Sequence, residues 1–160
     1  MIKILYLLFF ISISCWSQDQ KKTIEETLNN WHQAAAEANF NNYFDLMTSN
    51  AVFIGTDASE NWQLDEFKKY AKPYFENGKA WTFNSLEKNI YFSKNKKIAW
   101  FDELLETDLG ICRGSGIMKL TKNGWKIAHY VLSITIPNEN LIKIKTINKP
   151  HDYSLLKILK

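Results

Sequence analysis

From Cys112 to Ile136 the chain reads CRGSGIMKLTKNGWKIAHYVLSITI. Two runs rich in apolar, β-branched and aromatic residues, Cys112 to Thr121 and Trp125 to Ile136, flank Lys122-Asn123-Gly124. Asn-Gly between such runs signals a hairpin, because both residues tolerate the positive φ that a tight turn needs. Two antiparallel strands therefore anchor the fold. Upstream, Trp81 to Phe92 and Ile98 to Glu106 read as further strands, and Ala51 to Gly55 as a short apolar one.

Helices are expected before these strands. Ile24, Leu28, Trp31, Ala35 and Ala38 recur on one stripe, and Thr23 with Glu26 fits a capping box, so a helix is expected over Thr23 to Ala38. Phe40 to Met47 reads as a second short helix. Leu64 to Tyr70 reads as a third, with Pro73 kinking or ending it and Gly78 stopping what continues. Helices first and an antiparallel meander afterwards make an α+β layout, with helices covering one face of a curved sheet.

Composition fits this. The chain has 160 residues, 46% of them hydrophobic and 14% aromatic, enough for one packed domain. Six Gly and three Pro exclude a collagen-like or low-complexity chain. Twenty basic against 17 acidic residues leave a net charge of +3, too balanced to argue for nucleic acid, and no nucleic-acid partner is expected. Much of that charge sits near the C-terminus, where Lys143, Lys145, Lys149, Lys157 and Lys160 face only Glu139 and Asp152. This stretch reads as a solvated extension, with Ile142 to Lys145 as an alternative edge strand and contact with a membrane surface as another reading.

The first residues read as an address. Lys3, the apolar run Ile4 to Ile13 and the small residues Ser14, Cys15 and Ser17 have the layout of a secretion signal over residues 1–17. Export to the periplasm or medium is expected. The alternative is a lipoprotein acylated at Cys15, the one case in which a membrane partner is expected. Without Cys15 only Cys112 remains, so no internal disulfide can form, and Cys112 reads as a small buried hydrophobe. The organisation is thus a signal over 1–17, a domain over 22–139 and a basic extension over 140–160.

Strict alternation sorts the strand residues into faces. Trp100, Asp102 and Leu104 oppose Ala99, Phe101, Glu103 and Leu105. Arg113, Ser115 and Ile117 oppose Cys112, Gly114, Gly116 and Met118. Ala128, Tyr130 and Leu132 oppose Trp125, Ile127, His129, Val131 and Ser133. Neither face of the last strand is polar enough for full solvation. One face can meet the helices, and a second copy of the chain is the simple cover for the other. A homodimer is expected.

Several ordered segments carry a resemblance. Phe53-Ile54-Gly55-Thr56-Asp57-Ala58-Ser59-Glu60-Asn61-Trp62, Lys72-Pro73-Tyr74-Phe75, Ala99-Trp100-Phe101-Asp102-Glu103, Arg113-Gly114-Ser115-Gly116 and Gly124 to Ser133, closing on Ile136-Pro137-Asn138-Glu139, resemble a SnoaL-like domain of the nuclear transport factor 2-like superfamily. The resemblance implies a cone-shaped α+β barrel in which about three helices wrap a curved antiparallel sheet around a pocket. It also implies dimerisation through the outer sheet face. By analogy with the related kinase association domains, Asp102, Arg113 and Tyr130 point into the pocket, and Trp125 and His129 point to the second face. Family members often carry a basic residue at the position of Asn61, so Glu60 lacks that charge partner here.

The candidate site follows. Asp102 and Arg113 are expected to meet as a pocket anchor or as a structural ion pair. Trp31, Trp62, Trp100, Ser115 and Tyr130 complete the expected pocket, with Trp81 in the same aromatic set. Thr56, Asp57 or Ser59 reads as a cap of the following helix, with Asp57 alternatively a general base at the pocket mouth. No His, Cys, Asp and Glu spacing reads as a metal site, glycine is too sparse for a phosphate cradle, and no cofactor is expected. The expected function is an exported pocket protein binding a small, partly apolar ligand. Two alternatives stand beside it: an isomerase, cyclase or hydratase using Asp57 or Asp102 as general acid/base, and a dimeric interaction module without a ligand.

Overall fold

The computed structural model describes the backbone of residues 2–160 and the side chains of residues 19–160. The readings of a secretion signal over residues 1–17 and of acylation at Cys15 lie outside the described side chains. Helix α1 spans Ile2–Ala36 and α2 spans Phe40–Asp45. Strands β1 (Met47–Ile54) and β2 (Asn61–Gln63) precede α3 (Leu64–Glu76). Then come β3 (Phe83–Phe92), β4 (Ile98–Thr107), β5 (Gly110–Thr121), β6 (Gly124–Ile134), a 3-10 turn at Asn138–Asn140 and α4 (Leu141–Leu159).

The expected apolar stripe of α1 is the buried one. Ile24, Leu28, Trp31 and Ala35 are fully buried against the sheet. Thr23 is not an N-cap, because the helix runs through it and its hydroxyl donates to the Asp19 carbonyl one turn back. Ala38 takes a positive φ of 52° where the chain leaves α1, and Asn39 caps α2 by accepting the Asn42 N–H at 3.1 Å. Helix α2 ends at Asp45, earlier than its apolar pattern suggests, because β1 already begins at Met47.

Helix α3 is not capped by Thr56, Asp57 or Ser59. The short strand β2 intervenes, and Glu66 Oε2 accepts the Gln63 N–H at 3.0 Å instead. The helix continues through Pro73 to Glu76. Gly78, at a φ of 83°, follows its end.

The six strands form one curved mixed sheet in the order β2-β1-β6-β5-β4-β3. The meander β3 to β6 is antiparallel throughout, as the hairpin pattern predicts. The exception to an antiparallel sheet is β1, which pairs parallel to β6. That pairing joins the two ends of the domain and could not be read from neighbouring sequence. The helices α1, α2 and α3 supply the cover of one sheet face, and a single hydrophobic core lies between. The α+β class and the helix-wrapped, cone-like sheet therefore stand.

One bulge changes the faces. In β6, Ile127 pairs with Met118 while His129 pairs with Ile117, so Ala128 is an extra residue. Trp125 and Ile127 thereby share the inner face with Tyr130 and Leu132, and all four are buried. Strict alternation puts Trp125 on the opposite face from Tyr130. It packs instead in the core, edge-on to Phe92 at 6.0 Å.

The C-terminal extension is helical rather than an edge strand. None of α4 is buried, and Ile142, Ile158 and Leu159 are more than 70% exposed. Among the described residues, no helix is long and apolar enough to cross a membrane.

Candidate functional site

The expected pocket anchor is on the other side of the sheet. Asp102 pairs with Ser115 across β4 and β5, and Arg113 sits diagonally beside it, with Nη1 3.8 Å from Asp102 Oδ1. Their side chains are 33% and 57% exposed. They share the outer face with Trp100, Ser115, Ile117, His129 and Val131. The physical reason is the composition of the alternate rows. Ala99, Phe101, Leu105, Cys112 and Met118 are the row that can be buried, and Gly114 and Gly116 let helix-side groups approach closely. Two side chains that hydration already satisfies have no reason to displace it.

Trp100 is likewise an outer-face residue, 47% exposed and stacked on Tyr91 at 6.0 Å. Trp31 and Tyr130 face inward but lie in the core. Trp31 stacks on Tyr43 and meets Tyr130 edge-on, both at 4.8 Å. Asp57 lies in the β1–β2 turn, where its Oδ1 accepts the Ser59 N–H at 2.9 Å and the Ser59 hydroxyl at 2.6 Å. Those bonds hold its carboxyl below the ordinary range, the reverse of what a general base at neutral pH needs.

The charge that is buried on the inner face is Glu103, with 0% exposure. Its Oε1 accepts from the Tyr130 hydroxyl and bonds His32 Nε2, each at 2.9 Å. Lys88 Nζ is 4.0 Å from Oε2 and also donates to Asn29 Oδ1. Burial pushes the Glu103 carboxyl up, but His32, Lys88 and the Tyr130 hydroxyl together outweigh it and hold the group below its usual value. Burial first, and then the carboxylate, push the Tyr130 hydroxyl well above its usual value. The network ties α1, β3, β4 and β6 together. The signal for it was present: one Glu in an apolar row, directly opposite Gly114.

The cleft lies elsewhere, at the open end between α3 and the sheet. It has a volume of about 190 Å³. Phe53 of β1, Trp62 of β2 and Phe67, Tyr70 and Tyr74 of α3 form one wall. Trp81 and Phe83, entering β3, form another, and Leu132 of β6 also lines the space. Trp62 stacks on Tyr70 at 4.3 Å, and Tyr70 meets Tyr74 at 5.4 Å. Polar groups come from Thr56 and Glu60 between β1 and β2, Thr82 just before β3, Thr107 at the end of β4 and Asp108 in the turn that follows it. Contact with Tyr74, partial burial and the nearby Glu60 carboxylate push the Tyr70 hydroxyl up to about 12.

Trp62 and Trp81 are thus the sequence candidates that line the cleft, while Asp102, Arg113, Ser115, Trp100, Trp31 and Tyr130 do not. Phe83 separates the cleft from the buried network, meeting His32 edge-on at 5.4 Å. Among the described residues no group of three His, Cys, Asp or Glu side chains could hold a metal ion. The arrangement suits binding: aromatic walls with a few polar groups among them.

With this fold and cleft in view, comparison with known proteins is decisive for the family. The profile of the SnoaL-like domain matches residues 24–137. The chain belongs to the SnoaL-like domain family. Solved structures agree on the fold of this SnoaL-like protein. An NTF2-like protein of unknown function from Pseudomonas putida KT2440 superposes with a TM-score of 0.63 at 10% identity, covering 78% of this chain and 92% of that one. An NTF2-like protein from Cytophaga hutchinsonii ATCC 33406 gives 0.59 at 13% identity, covering 72% and 98%. At such identities the likeness concerns the fold of the SnoaL-like chain alone. No curated protein matches the sequence.

Proposed function

We propose that this SnoaL-like protein is an exported binding protein whose cleft takes a small, partly apolar molecule and does not turn it over. The observation that carries the reading is the cleft itself: a space of about 190 Å³ walled mostly by aromatic side chains, with a few polar groups among its lining. A cavity of about 150 Å³ lined by apolar side chains is enough for benzene, so the cleft suits a ligand of that order. The two aspartates that an isomerase, cyclase or hydratase reading relies on lie in an exposed turn and on the outer sheet face. Export rests on the signal-like residues 1–17.

The test is a thermal-shift screen of small aromatic and alicyclic compounds on the mature chain, with Trp62→Ala alongside. A true ligand at about 100 times its Kd adds about 2.7 kcal/mol of stability. Compounds that stabilise the parent but not the variant support the reading. If no compound shifts the parent, the binding function is wrong.

A homodimer through the outer sheet face is part of the same proposal. Tyr91, Ile98, Trp100, Ile111 and Ile117 are each 39–47% exposed on that side. A surface of that kind is favourable to cover.

A further inference from the structure

We propose that the cleft selects a small organic cation, an alkylated ammonium ion, through Glu60 and the surrounding rings. The inference rests on the reading of the cleft as a ligand site and adds the charge and class of what enters it.

Glu60 is the half-buried carboxylate of the cleft wall. Its Oε2 accepts the backbone N–H of Asp57 at 3.1 Å, a neutral donor. Among the described residues it forms no salt bridge with a lysine or arginine. The other carboxylate at the mouth, Asp108, is 3.9 Å from Lys79, so its charge is already offset. Glu60 is therefore the cleft carboxylate that has no cationic partner among the described residues.

The rings act in the same direction. The face of an aromatic ring is the negative end of its quadrupole, and Trp and Tyr attract a cation within about 6 Å by roughly 0.5–2 kcal/mol. Trp62, Tyr70, Tyr74 and Trp81 line the same space. An anion would be repelled by both features, and a neutral molecule would gain only apolar contact with the rings. A compact ammonium ion uses both, and its methyl groups bury against the rings.

The backbone holds the carboxylate in place. A Cβ at Gly55 would meet Glu60 Oε2 at 2.2 Å. The Gly55 N–H also donates to the Glu60 carbonyl at 2.9 Å, closing the turn. Glycine is needed at this position for the room it leaves the carboxylate, since its φ is not positive.

Calorimetric titration with choline, tetramethylammonium and dimethylbutanol, the uncharged carbon isostere of choline, tests the assignment. Choline and tetramethylammonium are expected to bind at least tenfold more tightly than dimethylbutanol, and added salt is expected to weaken them. Glu60→Gln and Gly55→Ala are each expected to lower choline affinity at least fivefold while the melting temperature stays within a few degrees. Asp102→Asn, on the outer face, should leave it unchanged. If dimethylbutanol binds as well as choline, or Glu60→Gln leaves choline affinity intact, the cation assignment is overturned and the ligand site stands. If neither compound binds, the assignment is overturned, and the screen of apolar compounds decides separately whether the cleft is a site at all.

Discussion

The Tyr130 hydroxyl donates to Glu103 Oε1 over 2.9 Å at a point where both residues have 0% exposure. A carboxylate without water needs such partners, and removing one leaves a charge both buried and under-bonded. Tyr130→Phe should therefore cost about 1.5–3 kcal/mol. Denaturant unfolding measures it, and a cost below a few tenths would mean that the bond is dispensable.

Acid should remove what Glu103 contributes. Its folded pKa is lowered, so the stability is present above the unfolded carboxyl value and lost as pH falls through the folded one. The stability gap between the parent chain and Glu103→Gln should be constant near neutrality and narrow below about pH 4. A gap that widens in acid would contradict the direction of the shift.

Gly114 leaves the room in which this pair sits. An added Cβ there would lie 2.2 Å from Tyr130 Oη and 3.0 Å from Glu103 Cγ. Both neighbours are buried and have nowhere to move, so Gly114→Ala should destabilise the fold by about 1–3 kcal/mol. Combined with Tyr130→Phe, which removes the clashing oxygen, the cost should be less than the sum of the two single changes. A double-mutant cycle in urea reads this directly.

Alkaline titration should separate the tyrosines. Burial pushes Tyr43 and Tyr130 well above their usual values, and Tyr70 rises to about 12. A raised folded pKa means stability present below the unfolded value of about 10 and lost as pH rises past it. Absorbance of tyrosinate should appear in two stages, exposed residues first. Tyr43 and Tyr130 should ionise only with loss of the far-ultraviolet circular dichroism signal. Their early, non-cooperative ionisation would sink this account.

The outer face offers a fifth test. The Asp102–Arg113 pair at 3.8 Å is half exposed, so Arg113→Ala should change stability by no more than about 1 kcal/mol. Trp100→Glu places a charge among the exposed apolar side chains and should shift the proposed dimer to monomer. Sedimentation at several concentrations distinguishes the two states. A parent chain that is monomeric at every concentration would remove the dimer proposal.

Some of the molecule was legible residue by residue. The Ile24, Leu28, Trp31 and Ala35 stripe needed only the helical repeat, and the β5–β6 hairpin needed only Asn123-Gly124 between two β-rich runs. Trp62 could be placed at an apolar wall from its neighbours. The face of Asp102 and Arg113 could not, because alternation says which residues share a side and not which side the helices cover. The bulge at Ala128 was equally hidden: one extra residue reverses the parity of everything before it, and no local signal marks the spot.

The sequence by itself determined the α+β class, the meander and the family, because periodicity, turn chemistry and motif order are properties of neighbouring residues. Tertiary structure decided which carboxylates matter. Glu103 is the buried charge because Tyr130, His32 and Lys88, distant in the chain, converge on it. Glu60 lines the cleft with the rings because a hairpin turn and helix α3 close around one space. Desolvation and charge pairing depend on what surrounds a group in three dimensions, and that is set only when the elements pack.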